Sequence, residues 1–150
     1  MIITHPTPNH SDRKGHKVSL IVLHCDASGN EKGTINWIQS KESKVSYHVL
    51  VGRTGAVYTF VPYDRMAWHA GKSEYEGRKH CNLFSIGLSF ANRNDQKEPL
   101  TEAQQATMKR LIAEVRAKYG PLPVTTHTII APGRKFDPEH APGFVLADYQ

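Results

Sequence analysis

The chain has 150 residues, of which 39% are hydrophobic and 22% are charged, and its formal net charge is +5. This length fits one domain, and no apolar run approaches the roughly 18 residues that a transmembrane helix requires. Stable insertion into a membrane is therefore not expected. The positive charge favours a polyanionic partner such as nucleic acid, anionic lipid or an acidic cell-wall polymer.

The cysteines and the N-terminus restrict the compartment. Cys25 and Cys81 are the only cysteines, too few for a disulfide framework, which favours a reducing environment. The first residues lack the basic and apolar segments of a signal peptide, so we expect synthesis in the cytoplasm. Direct binding of nucleic acid is not expected, because no basic helix or aromatic-basic stripe occurs. Nothing in the pattern requires more than a monomer.

Hydrophobic periodicity predicts one α/β domain over residues 1–150. Residues 18–23 (VSLIVL) form a short apolar run typical of a strand buried on both faces, and Thr101 and Gln104 form a capping box that begins the clearest helix. We expect a central mixed β-sheet flanked by helices. In chain order, the predicted elements are an extended lead-in over 1–16, strands over 18–23, 45–51, 56–61 and 84–90, helices over 34–40 and from 101 to 119, a long functional loop over 67–82, and a final strand over 123–130.

A group of side chains near the C-terminus suits a divalent metal. His127 lies in the last predicted strand, and a Pro-Gly turn then leads to Lys135 and Asp137. Imidazole and carboxylate groups bind zinc, and His24, at the end of the first buried strand, offers a third ligand. From the residues alone, an alternative stays open in which Asp137 caps a turn and Lys135 is a solvated surface charge.

Five segments of the chain form an ordered set: residues 21–24 (IVLH), 45–48 (VSYH), 65–71 (RMAWHAG), 81–87 (CNLFSIG) and 127–138 (HTIIAPGRKFDP). Together they resemble the zinc-dependent N-acetylmuramoyl-L-alanine amidases, a family that includes short phage endolysins, cell-wall-recycling amidases and peptidoglycan-recognition proteins. The last segment is the most specific of the five.

The resemblance implies a fold, a metal site and a reaction. It makes His24, His127 and Asp137 the ligands of one zinc ion, although several relatives have a cysteine in the third place. Lys135 matches a lysine that stabilises the tetrahedral oxyanion. The implied reaction is hydrolysis of the amide between N-acetylmuramic acid and L-alanine. Three protein ligands also leave one zinc position open, as catalysis requires.

The group that handles the attacking water is less well defined. The recycling branch of the family carries a glutamate where this chain has Ser89, whereas other active branches carry a tyrosine that matches Tyr47. Because tyrosine titrates near 10, we interpret Tyr47 as a hydrogen-bond partner that orients water rather than as a base. A core or rim aromatic is the alternative. His69 and Trp68 match the family's substrate-contacting segment, although Trp68 could equally be a packing anchor.

These residues leave several functions open. The first interpretation is an endolysin that cuts polymeric peptidoglycan, reaching the wall by release through a holin-type pore. The alternatives are an amidase that recycles soluble anhydro-muropeptides, against which Ser89 counts, and a non-catalytic module that binds peptidoglycan fragments. Regulation of another protein is a further possibility that no residue indicates.

Overall fold

The structure is a computed structural model, and it describes residues 2–150. A six-stranded mixed sheet has the strand order β1-β5-β4-β9-β3-β10, in which β5 runs antiparallel to β4 and the other pairings are parallel. Its strands are β1 (Ile2–Thr4), β3 (Leu20–Cys25), β4 (Val49–Val51), β5 (Val57–Thr59), β9 (Ser85–Phe90) and β10 (Val124–Thr126). The prediction of an α/β fold with a central mixed sheet is confirmed.

The remaining elements surround this sheet. Two small antiparallel pairs join β2 to β6 and β7 to β8. No helix among residues 2–150 is both long and apolar enough to cross a membrane. The elements are β2 (His10–Ser11), β6 (Met66–Ala67), β7 (Glu74–Tyr75), β8 (Arg78–Lys79), α1 (Glu31–Gln39), α2 (Glu102–Tyr119), α3 (His127–Ile130), and 3-10 turns at Lys41–Ser43, Cys81–Leu83 and Leu146–Tyr149.

Helix α2 forms as its sequence predicts. The Thr101 hydroxyl accepts from the Gln104 amide, and the Gln104 side chain accepts from the Thr101 amide, so both halves of the capping box are present. This arrangement satisfies amide groups that have no partner in the first turn. Its apolar stripe is buried against one face of the sheet, and the helix ends before Gly120, at φ 94°. The stripe consists of Met108, Leu111, Ile112 and Val115.

The structure corrects the prediction in two regions. Within the predicted lead-in, residues 2–16 contribute two strands, because β1 pairs with β5 at the edge of the main sheet and β2 pairs with β6. The predicted strand over 123–130 ends at Thr126, and residues 127–130 form α3. Thr126 explains the change, since its hydroxyl accepts from the Ile129 amide and so caps a helical turn.

The two faces of the sheet differ in character. Successive side chains of a strand point to opposite faces. In β3, Ile21 and Leu23 therefore join the cluster that contains α2, whereas Leu20 and Val22 pack with Ala70, Phe84 and Ile130 on the other face. His24 shares the face of Leu20 and Val22. We call this second face, covered by α1, α3 and residues 62–83, the site face.

Candidate active site

His24 is the penultimate residue of β3 and is completely buried. The register of the sheet explains why His127 lies beside it. Thr126, the last residue of β10, is paired with Leu23, so the next residue of each chain segment reaches the same level. His127 then begins α3. The Nδ1 atoms of the two histidines are 3.0 Å apart.

The turn after α3 returns Asp137 to the two histidines. The backbone amide of Thr128 donates to the Asp137 carbonyl oxygen at 3.1 Å. The Asp137 carboxylate accepts from the Cys25 amide at 3.2 Å and is 8% exposed as a residue. It lies 3.1 Å from His127 Nδ1 through Oδ1 and 3.4 Å from His24 Nδ1 through Oδ2.

These three ligand atoms form a triangle of the size that zinc requires. Tetrahedral coordination at Zn–N and Zn–O distances of 2.0–2.1 Å places neighbouring ligand atoms about 3.3 Å apart. The two Nδ1 atoms and Asp137 Oδ2 are separated by 3.0, 3.2 and 3.4 Å. The His127 Nε2 atom is 3.1 Å from the Ala70 carbonyl, which can only accept. Its Nδ1 lone pair consequently faces the carboxylate, and two acceptors at this distance call for a cation between them. The donor set fits a divalent metal.

The ionisation states suit metal binding. Burial, followed by the charge of His127, lowers the pKa of His24 to about 4. Burial opposes ionisation of Asp137, but its close contacts with the imidazoles of His127 and His24 outweigh this effect and hold its pKa well below the usual range. At neutral pH, His24 is therefore neutral and Asp137 is charged, which are the forms that bind a metal.

Lys135 stands close to this triangle. Its side chain is half-buried, and its charge contributes to the lowered pKa of His24, after the larger effects of burial and His127. The backbone holds it there, since the Lys135 amide donates to the Ala131 carbonyl at 3.0 Å. A positive charge so placed can stabilise negative charge that develops at the site.

Tyr47 also lies beside the triangle. Its ring centroid is 5.2 Å from that of His24, and its hydroxyl donates to the Cys25 carbonyl at 3.4 Å. Burial, reinforced by the charges of Asp137 and Asp26, raises the pKa of Tyr47 well above its ordinary value, although a hydrogen bond with Ser89 opposes this. Tyr47 is therefore protonated at neutral pH. It can donate a hydrogen bond but cannot serve as a base.

His69 lies in a different place from the one predicted. It is 7% exposed and sits behind His24, with its Nδ1 atom 2.9 Å from His24 Nε2 and its Nε2 atom 3.0 Å from the Ser85 hydroxyl. A ring enclosed in this way does not offer a surface to a substrate. The sequence suggested a contact residue because it could not show which side of His24 the loop would approach.

Trp68 is held by the N-terminal segment. Its indole Nε1 donates to the Ser11 hydroxyl at 2.7 Å, and its backbone amide donates to the Ser46 hydroxyl at 2.9 Å. These contacts agree with the alternative of a packing anchor. The half-buried ring joins β2 to the segment before β4.

The sequence analysis missed the residues that make room for His69. Strand β9 alternates large apolar residues, which face α2, with Ser85, Gly87 and Ser89, which share the site face. A Cβ atom at Gly87 would lie 2.4 Å from the His69 ring. The alternation of small and large residues in SIGLSF was the available signal.

Arg13 was missed as well. It is 5% exposed although it is charged, and its guanidinium donates to the carbonyl oxygens of Tyr63 at 2.8 Å and Ser85 at 3.1 Å. Beside it, His48 accepts from the Gly87 amide and lies 2.9 Å from the Arg65 carbonyl. These contacts fix the N-terminal segment and β4 against β9 beneath the site.

Comparison with known proteins identifies the family. A family model described as N-acetylmuramoyl-L-alanine amidase matches residues 14–140. The chain therefore belongs to the N-acetylmuramoyl-L-alanine amidase family. The five matching segments all lie within this range.

Individual relatives agree with this assignment. The chain is 39% identical over 112 residues to the 1,6-anhydro-N-acetylmuramyl-L-alanine amidase AmpD of Escherichia coli K12, an alignment that covers 71% of this chain and 57% of the relative. The chain thus matches little more than half the length of this relative. A crystal structure of a selenomethionine derivative of AmpD superposes with a TM-score of 0.80 at 28% identity, covering 99% of this chain and 92% of that one.

A second structure includes a ligand. The amidase AmiD of E. coli, in complex with anhydro-N-acetylmuramic acid-L-Ala-D-γ-Glu-L-Lys, has a TM-score of 0.74 at 30% identity and covers 85% of this chain and 53% of that one. These similarities confirm the predicted family and its amidase fold.

Proposed function

We propose that the chain hydrolyses the amide bond between N-acetylmuramic acid and L-alanine, with one zinc ion held by His24, His127 and Asp137, and that its substrates are soluble anhydro-muropeptides. The observation that carries the proposal is the buried triangle of two imidazole nitrogens and a carboxylate, with separations of 3.0–3.4 Å. Three protein ligands leave a coordination position for a catalytic role.

Zinc, Lys135 and Tyr47 have separate roles in the proposed reaction. When bound, zinc would act as a Lewis acid that polarises the scissile carbonyl and lowers the pKa of water. Lys135 stabilises the negative charge that develops on the carbonyl oxygen, because its own charge already reaches His24. Tyr47 remains protonated, and its hydroxyl orients the attacking water or the substrate by giving up its long contact with the Cys25 carbonyl, at 3.4 Å, for a hydrogen bond to that group.

The relatives support a soluble substrate rather than the wall polymer. AmpD is named for the 1,6-anhydro form of its substrate, and the AmiD structure contains an anhydro-muropeptide. The sequence alone favours an endolysin, with recycling of soluble muropeptides as the alternative, and the relatives favour the alternative. Release through a holin-type pore was tied to the endolysin interpretation, and these relatives lend it no support.

Two observations keep hydrolysis of polymeric peptidoglycan as a second candidate. The net charge of +5 would favour association with an anionic wall. Ser89 also stands where the resemblance gives the recycling branch a glutamate, whereas Tyr47 matches the tyrosine of other active branches. A non-catalytic binding module is disfavoured by the presence of the three ligand groups together with Lys135.

The deciding experiment offers both substrates to the same enzyme. Zinc-loaded protein would be incubated with a soluble anhydro-muropeptide and with purified sacculi, and mass spectrometry would identify the products, with a chelated sample as control. We expect zinc-dependent release of peptides that begin with L-alanine, and faster turnover of the soluble substrate. Faster turnover of sacculi would favour the second candidate. Binding without any product would contradict the proposed hydrolysis.

A further inference from the structure

His24 lies at the end of a row of hydrogen-bonded buried groups. The other members of this row have no role in the proposed reaction. The row runs from the Cys81 carbonyl to the Ser85 hydroxyl, then to His69 and to His24. Cys81 is fully buried, and so is Ser85. Each group has a limited number of protons, so the direction of every hydrogen bond can be worked out from the carbonyl end.

The carbonyl fixes the first step. The Ser85 Oγ atom lies 2.6 Å from the Cys81 carbonyl oxygen, which can only accept, so the single hydroxyl proton lies between these two oxygens. The Ser85 oxygen must then accept from His69 Nε2, 3.0 Å away. His69 therefore carries its proton on Nε2, and its Nδ1 presents a lone pair.

The same reasoning fixes the second step. His69 Nδ1 lies 2.9 Å from His24 Nε2, and since the former is an acceptor the latter must donate. A neutral imidazole has one proton. With that proton on Nε2, His24 Nδ1 presents its lone pair toward His127 and Asp137, at 3.0 and 3.4 Å.

We infer that His69 and Ser85 are positioning residues that hold His24 in its Nε2-protonated tautomer before metal arrives, so that Nδ1 is presented to zinc. The inference rests on the metal site of the proposed function, but it concerns the protein without metal. The partner of a metal-binding histidine is usually a carboxylate, carbonyl or water, and loss of such a partner typically weakens metal affinity about 10–100-fold. Here a second histidine takes that part, and its own tautomer is fixed by a serine and a carbonyl.

Strand β9 provides the space for this arrangement. Ser85 and Gly87 share one face of the strand, and a Cβ atom at Gly87 would occupy the position of the His69 ring. His127 needs no such row, since the Ala70 carbonyl lies 3.1 Å from its Nε2 atom. His24 and His127 are thus both protonated on Nε2, but the acceptor is the His69 ring in one case and a backbone carbonyl in the other.

The test is the tautomer of His24 in metal-free protein, read from ring ¹⁵N chemical shifts, together with zinc affinity from competition with a chelator. We expect the wild-type protein to show a protonated Nε2 and an unprotonated Nδ1 at His24. Ser85→Ala removes the acceptor for His69 and should give a mixture of His24 tautomers and about tenfold weaker zinc binding. His69→Phe should weaken binding by about 10–100-fold, and His69→Gln, which keeps an acceptor and a donor, should restore most of it.

A matched control is Thr125→Val. Thr125 has a buried hydroxyl with no hydrogen-bond partner among residues 2–150, so its loss should leave the tautomer and the zinc affinity unchanged. Protonation of His24 at Nδ1 in the wild type would overturn the inference, as would wild-type zinc affinity in folded His69→Phe. If the tautomer is as expected but zinc-loaded protein releases no product, the proposed function fails and the inference stands.

Discussion

The two faces of the central sheet follow different rules, although the same strands form both. Toward α2, strands β3 and β9 present Ile21, Leu23, Ile86 and Leu88, all fully buried and apolar. Toward the site face, the alternate positions near the carboxyl ends carry a buried histidine and small residues. The α2 face stabilises the fold through apolar burial. On the site face, these positions bury less apolar surface and instead hold polar groups in fixed positions.

This contrast predicts that stability and activity can be separated by face. The largest effect is expected for Asp137→Ala on the site face. Loss of a ligand removes the polarising metal, which contributes several kcal/mol, so turnover should fall at least about 1,000-fold. Circular dichroism should show that the variant is folded, and mass-spectrometric assay of muropeptide cleavage measures the loss. Undiminished turnover in the folded variant contradicts the assignment.

The next largest effect is expected on the opposite face. Met108 is fully buried in α2, and Met108→Ala should lower the free energy of unfolding by about 2–5 kcal/mol because it leaves a cavity. Its turnover per folded molecule should match the wild type. Urea denaturation measures the first quantity and the muropeptide assay the second. A selective loss of turnover would show that the two faces are coupled.

Gly87→Ala tests the space on the site face with a single methyl group. Because the new Cβ atom would meet the His69 ring at 2.4 Å, we expect about 1–3 kcal/mol of destabilisation together with weaker zinc binding. Gly33→Ala is the matched control. It adds the same methyl group within α1, where the nearest atom outside the helix backbone is Cγ of the exposed Asn30 side chain, at 3.3 Å, so only a small shift of that side chain is needed. Helix propensity also favours alanine. Equal stability of both variants would mean that His69 has room to move.

The smallest effect is expected at the start of α2. Thr101→Ala removes the hydroxyl that accepts from Gln104 and should cost about 1 kcal/mol. Thermal unfolding should show a lower midpoint, while zinc affinity stays the same. A change in zinc affinity would contradict the separation of the two faces.

The sequence predicts the α2 face better than the site face because apolar periodicity is a local signal. The strands predicted over residues 18–23 and 84–90 lie close to the observed β3 and β9, and the capping box correctly predicts where α2 begins. The β-branched run around His127 was wrongly predicted as one strand, since the capping role of Thr126 competes with strand propensity.

The positions of His69 and Ser85 could not be derived from any local pattern. Their contact depends on how residues 62–83 fold over β9 and on the missing side chain of Gly87. The resemblance implied that His24, His127 and Asp137 are ligands, and the structure brings these residues together in an arrangement that could hold a metal ion. The resemblance did not indicate that His69 contacts the Nε2 atom of His24, on the side of the ring away from Asp137.

The most direct test of the account is a crystal structure of the zinc-loaded protein with anomalous diffraction recorded at the zinc edge. We predict one anomalous peak about 2.0–2.1 Å from His24 Nδ1, His127 Nδ1 and an Asp137 carboxylate oxygen. A peak elsewhere, or coordination by His24 through Nε2 with His69 displaced, would contradict both the metal site and the proton positions that precede it.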